Sequence, residues 1–167
     1  MPRPAPPTAT ELAELGVAYV KAGKEPLAWE ALHEALALEP AHFRANYAAG
    51  ILAFKQEMDP QAEGFLRTAL ASQPDDIDAL LTLGAVYHRG HAYDKAKDAY
   101  LAVLRRDDDN VKAIYNLGML ALDRNELDEG RGYMERYMKM QPGSGDHHEI
   151  RARLKAVEEF LRGKGQS

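Results

Sequence analysis

The chain has no cysteine among its 167 residues. That excludes disulfides, thiolate zinc sites, iron–sulfur clusters and cysteine nucleophiles together. Serine is scarce (Ser72, Ser144 and Ser167), and none sits in a nucleophile motif. Valine, isoleucine and threonine number 14 against 47 alanines and leucines. β-Branched residues favour strand and straight-chain or small ones favour helix, so an all-β or strongly α/β fold is disfavoured. No apolar run approaches the roughly 18 residues that a membrane span needs. Positive charge is in the minority, 21 Lys and Arg against 26 Asp and Glu, for a net charge of −5, which speaks against general nucleic-acid binding. The first seven residues, rich in proline, lack the apolar core of a signal peptide. The expectation is a soluble, cytoplasmic chain. A hydrophobic fraction of 46% with 28% charged residues is the composition of a globular domain or compact array.

What the chain does have is a period of 34 residues. Four blocks, 9–42, 43–76, 77–110 and 111–144, follow without a gap. Position 8 of each is glycine: Gly16, Gly50, Gly84 and Gly118. Position 20 is Ala28, Ala62, Ala96 and then Gly130. Position 24 is Leu32, Leu66, Tyr100 and Met134, and position 32 is Pro40, Pro74, Asp108 and Pro142. Positions 4, 7, 8 and 11 fall on one stripe of a first helix, and 20, 24 and 27 on one stripe of a second. Small residues at 8 and 20 let two helix axes approach, and proline at 32 stops the second helix. Asp59-Pro60 reads as an N-cap followed by a first-turn proline, and Glu25-Pro26 places its proline similarly. One hairpin cannot bury both faces, so neighbours must stack into a solenoid.

These residues resemble the tetratricopeptide repeat family, with Leu-Gly at 7–8, Tyr at 11, Ala at 20, an aromatic at 24, Ala at 27 and Pro at 32. The departures are Asn46 at position 4 of the second block, Gly130 and Asp108. The resemblance implies an all-α, right-handed α-solenoid of four helical hairpins. Residues 1–8 are expected to be a proline-rich, disordered arm, with Thr8 and Glu11 forming a capping box. Residues 145–167 are expected to hold a capping helix and tail. Asp146 and Glu149 mark its start, and Ile150, Leu154, Val157 and Leu161 its buried stripe.

A solenoid has no obligatory cleft, so function is sought on its free faces. Positions 2, 5, 9 and 12 of each first helix form a second stripe, which the resemblance places, with position 13, along a concave groove. The candidate partner-binding residues there are Val17, Lys21, Arg44, Tyr47, Ile51, Phe54, Lys55, Leu81, His88, Arg89, Lys112, Tyr115, Met119 and Leu122. Many are large and apolar, and Lys21, Arg44, Lys55, Arg89 and Lys112 outnumber Asp78 and Asp123. The competing reading is that neighbouring helices bury part of this stripe. A chaperone-tail carboxylate clamp, another property of some members of the family, is not matched: of the five positions it needs, only Lys112 fits.

Candidate chemistry is sparse. His88 and His91, and His147 and His148, are read as solvent-facing, since no converging metal set is visible. Asp107-Asp108-Asp109-Asn110 lacks the glycine and distal glutamate of a calcium loop and reads as a turn capping the next helix. Met134, Met138 and Met140 read as gap-filling core. Trp29 reads either as packing under the N-terminal arm or as an exposed contact. The expectation is therefore a non-enzymatic scaffold without cofactor, binding a protein or peptide with apolar and acidic residues. A self-assembling module is the alternative, and a small secretion-system chaperone a third reading.

Overall fold

The structure, a computed structural model, describes residues 5–164. Expectations for residues 1–4 and 165–167 lie outside the described residues. Nine helices are present among the described residues, and no strand. They are α1 (Ala9–Lys21), α2 (Glu25–Leu38), α3 (Phe43–Lys55), α4 (Asp59–Ser72), α5 (Ile77–Arg89), α6 (Tyr93–Leu104), α7 (Val111–Asp123), α8 (Leu127–Met140) and α9 (His147–Lys164). The first eight pair as four antiparallel hairpins, and the first helix of each hairpin also packs on both helices of the one before. The chain is an all-α solenoid.

The helix ends repeat as regularly as the cores. Thr8, His42, Asp76 and Asn110 stand one residue before α1, α3, α5 and α7, and each side chain accepts a hydrogen bond from the amide three residues on. These caps satisfy donors that a helix start leaves unpaired. Thr8 and Glu11 complete a capping box. The second helices start without a side-chain cap. Their entry is a left-handed residue at position 15: Gly23, Glu57, His91 and Asn125, with φ between 58° and 68°. Only glycine adopts that conformation without a Cβ penalty. Asp59 does not serve as an N-cap. It lies inside the first turn of α4, behind Met58, because the left-handed turn at Glu57 starts the helix one residue early. Its carboxylate is taken by Arg89.

Within each hairpin, glycine 8 faces residue 24. A Cβ on Gly16, Gly50, Gly84 or Gly118 would come within 2.4–2.7 Å of Leu32, Leu66, Tyr100 or Met134. All four of those partners are fully buried. Asn46 is buried as well. Its amide donates to the carbonyls of Pro40 (2.9 Å) and His42 (3.1 Å), so the polar group is satisfied. Trp29 is half-buried at the seam between the first two hairpins. Its indole N–H donates to Gln56 (3.0 Å), Gln56 donates to Glu25 (2.7 Å), and its ring lies 6.0 Å from that of Phe65.

At the far end, α9 packs on α8 and α7 as the first helix of a fifth repeat would. Ile150 and Val157 are buried and Leu154 half-buried. The stripe ends there: Leu161, expected on the buried face, is exposed beside Phe160, because the last turn of α9 has no described helix to pack on. Asp146 stands one residue before α9, as expected, and its side chain is engaged from the loop side. Its carboxylate accepts from the Tyr137 hydroxyl (2.7 Å) and the Ser144 hydroxyl (2.5 Å), tying the loop to α8. At the opposite end Leu15, which holds the position that buries Leu83 and Leu117 in later repeats, is 44% exposed.

Candidate partner-binding groove

The stripe on the first helices is graded in burial. Positions 2 and 13 are the most open, and position 9 is half-buried throughout. Positions 5 and 12 are where the competing reading wins in part. Leu81 is 8% exposed and packs with Leu117 and Tyr100, and Leu122 is 2% exposed. The burial of Leu122 has a local cause. The three earlier repeats carry a buried alanine at position 20, whereas the fourth has Gly130. A Cβ there would lie 2.6 Å from Leu122 Cδ2. The leucine occupies the room that the missing methyl leaves. Leu122 is therefore core, not a groove anchor.

Six of the candidates converge on one cleft of about 500 Å³ between α1 and α3: Val17, Lys21, Arg44, Tyr47, Ile51 and Lys55. Val20, Phe43 and Ala48 complete its walls. Phe43 was outside the sequence stripe. Its signal is the i,i+4 aromatic pair with Tyr47, whose rings stack 5.9 Å apart at 5°. Arg44 pairs with Glu14 at 3.2 Å across an exposed surface. Lys21 and Lys55 end α1 and α3 and have no ion-pair partner among the described residues. Burial, then the charge of Asp78, pushes the Tyr47 hydroxyl above its usual range, so it stays a neutral donor and acceptor.

The middle of the groove is occupied by the chain's own contacts. The Arg89 guanidinium lies 3.9 Å over the Phe54 ring, donates to the Phe54 carbonyl (2.8 Å) and pairs with Asp59. Phe54 is thus covered on one face and Arg89 is neutralised, so neither is free as the sequence reading had them. His88 is not solvent-facing: it is half-buried, and its Nε2–H donates to Asp123 at 2.7 Å. Asp123 also pairs with Arg153 of α9. Burial acts on the imidazolium most strongly, and the charges of Arg153 and His91 act in the same direction. His88 is held below its ordinary value.

A second, smaller hollow of about 390 Å³ is lined by Leu81 of α5, Val111, Lys112, Tyr115 and Asn116 of α7, Tyr137 of α8 and Asp146 before α9. The Tyr115 and Tyr137 rings lie 5.0 Å apart. Met119 packs beside this region, half-buried. Among the described residues no group of three or more His, Asp or Glu side chains could hold a metal ion, and no helix is long and apolar enough to cross a membrane.

Repeated hairpins with a glycine-8 seam and a stripe of graded burial along the first helices define a helical-repeat protein. The sequence profile of the tetratricopeptide repeat matches residues 14–77, 60–110 and 81–145, and the chain belongs to the tetratricopeptide repeat family. It is 27% identical over 128 residues to a TPR repeat-containing protein, PA4667, of Pseudomonas aeruginosa, covering 76% of this chain and 21% of that one. The chain thus spans about a fifth of that relative's length. Among solved structures, MamA is similar with a TM-score of 0.75 and 25% identity, over 80% of this chain and 78% of MamA. YrrB, described as a TPR protein with an unusual peptide-binding site, has a TM-score of 0.79 and 20% identity, over 90% of this chain and 78% of its own. At that identity the likeness to YrrB is one of fold. The fold supports a protein–protein interaction scaffold.

Proposed function

We propose that the chain is a non-catalytic scaffold that binds a segment of a partner protein in its concave groove, chiefly in the cleft between α1 and α3. One observation carries this reading. An apolar cleft of about 500 Å³ is bordered by two lysines, Lys21 and Lys55, with no counter-ion among the described residues. Contiguous apolar surface rimmed by charge marks a contact site, and unpaired cations favour an acidic partner by steering its approach. Tyr47 and Ile51 supply the apolar anchors, Lys112 and Tyr115 of the second hollow extend the surface, and Val17 and Met119 line it at position 9.

Partner capture from the source cells tests it. Wild type, Lys21→Glu/Lys55→Glu and the control Arg67→Glu, on exposed α4, are compared. A partner retained by the control and lost by the double reversal supports the cleft. Loss by the control alone contradicts it.

A second reading, end-to-end self-assembly, is favoured by exposed leucines at one end (Leu15 and Leu27) and by Phe160 and Leu161 at the other. Head-to-tail contacts of this kind run on or close into rings. Light scattering over a concentration series, on wild type and Leu15→Glu, decides it. A mass that grows with concentration and reverts to the monomer in the variant supports assembly. A constant monomer mass excludes it.

A further inference from the structure

From the chemistry of the cleft walls we infer that the segment bound between α1 and α3 is an amphipathic α-helix carrying carboxylates, not an extended peptide. This rests on the groove reading above and deepens it. An extended strand presents its own N–H and C=O groups to both sides, and wall-facing ones need partners once water is displaced. A groove that holds extended chains therefore needs side chains able to accept as well as donate. This cleft has almost none. Its floor is Val17, Val20, Ala48 and Ile51, and its cations only donate. The Tyr47 hydroxyl is the one neutral group in the lining that can accept from a backbone N–H. At positions 6 and 9 of these two repeats Val17, Ala48 and Ile51 offer no polar group, and the Glu14 carboxylate is taken by Arg44. A helix satisfies its own backbone and offers only side chains to the wall.

Length and charge fit the same occupant. From Arg44 to Lys55 the cleft runs along α3 for about 16 Å, roughly three turns of a docked helix. Lys21 and Lys55 share position 13 on adjacent helices, so two cations stand side by side at one end of the cleft, whereas Arg44 toward the other end is already paired with Glu14. The cleft lining contains no acidic side chain. A helix of three to four turns, with an apolar stripe at i, i+3, i+4 and i+7 and carboxylates flanking it at the lysine end, matches the wall in shape and sign.

Two peptide libraries of equal length test the inference. One is unconstrained, and the other is helix-stabilised and randomised on one face. Both are selected against the full wild-type chain. Enriched peptides are measured by fluorescence anisotropy against wild type, Lys21→Glu/Lys55→Glu and Arg67→Glu, with melting curves to establish that each variant is folded. Their bound conformation is read by NMR. The expected binders are helical when bound, rich in Asp or Glu at one end, weakened at least tenfold by the double reversal and unaffected by Arg67→Glu. Binders that are extended when bound, yet equally weakened by the double reversal, overturn the helix inference and leave the groove reading standing. Binders indifferent to the double reversal, or no binder tighter than about 100 µM from either library, overturn both.

Discussion

Removing Leu122 and filling Gly130 should be strongly coupled. Leu122 is 2% exposed and rests against Gly130, where a Cβ would come within 2.6 Å of its Cδ2 and 2.9 Å of its Cγ. Leu122→Ala deletes a buried isopropyl group with no Cβ opposite to fill the void, which costs about 4 kcal/mol on the scale of core leucine truncations. In a chain of this length that lowers the melting temperature by roughly 10 °C. Gly130→Ala gains about 1 kcal/mol of helix propensity but drives a methyl into the leucine, an overpacking cost of about 1–3 kcal/mol. The net expectation is a loss of about 1 kcal/mol. In the double variant the methyl enters space already vacated. It should be more stable than Leu122→Ala alone by about 1 kcal/mol, giving a coupling of roughly 2 kcal/mol. Urea unfolding followed by circular dichroism at 222 nm measures all four corners of the cycle. Additive losses, or a double variant less stable than Leu122→Ala, would refute the assignment of Leu122 to the core through Gly130.

Three further outcomes follow from the same contacts. Gly84→Ala should cost about 2 kcal/mol by urea unfolding, because its Cβ meets the buried Tyr100 ring at 2.4 Å, whereas Gly118→Ala should stay within about 1 kcal/mol of wild type, since it meets the flexible end of Met134; equal effects would contradict this. Glu57 holds φ 59° on an exposed turn, so Glu57→Gly should raise stability by about 0.5–1 kcal/mol, and a fall in melting temperature would show that the turn is not strained. His88, facing Asp123, Arg153 and His91, is held below its ordinary value of 6.5 by burial. The unfolded chain then binds the proton more readily, so this contribution to stability is full above pH 6.5 and lost as pH falls through it. Melting temperature measured from pH 7.5 to 5 should drop more steeply for wild type than for His88→Gln; parallel curves would contradict the shift.

The repeat, its helices and its glycine seam were legible because each depends on one residue type recurring at one spacing. Gly16, Gly50, Gly84 and Gly118 announce a close approach whatever lies opposite. The cap at Thr8 was legible for the same reason, being local. The errors fell where a residue's role is set by a neighbour distant in sequence. Leu122 reads as a groove residue and Gly130 as a departure from the repeat until their contact across the hairpin turn is seen. Arg89 reads as a free cation on a stripe, but Asp59 and Phe54, 30 and 35 residues earlier, hold it. His88 meets Asp123 across the next repeat. Position 15 could have been found from Gly23 and Asn125, both tolerant of a left-handed backbone. Glu57 and His91 at the same place hid it.

The central claim is that the cleft between α1 and α3 receives the partner. An amide chemical-shift map of the full chain, titrated with the captured partner segment, tests it most directly. The largest shifts should fall on Val17–Lys21 and Tyr47–Lys55, with α2 and α4 nearly silent. Shifts concentrated on α2 and α4, or on the exposed end of α9 around Phe160, would place the partner elsewhere and contradict the claim.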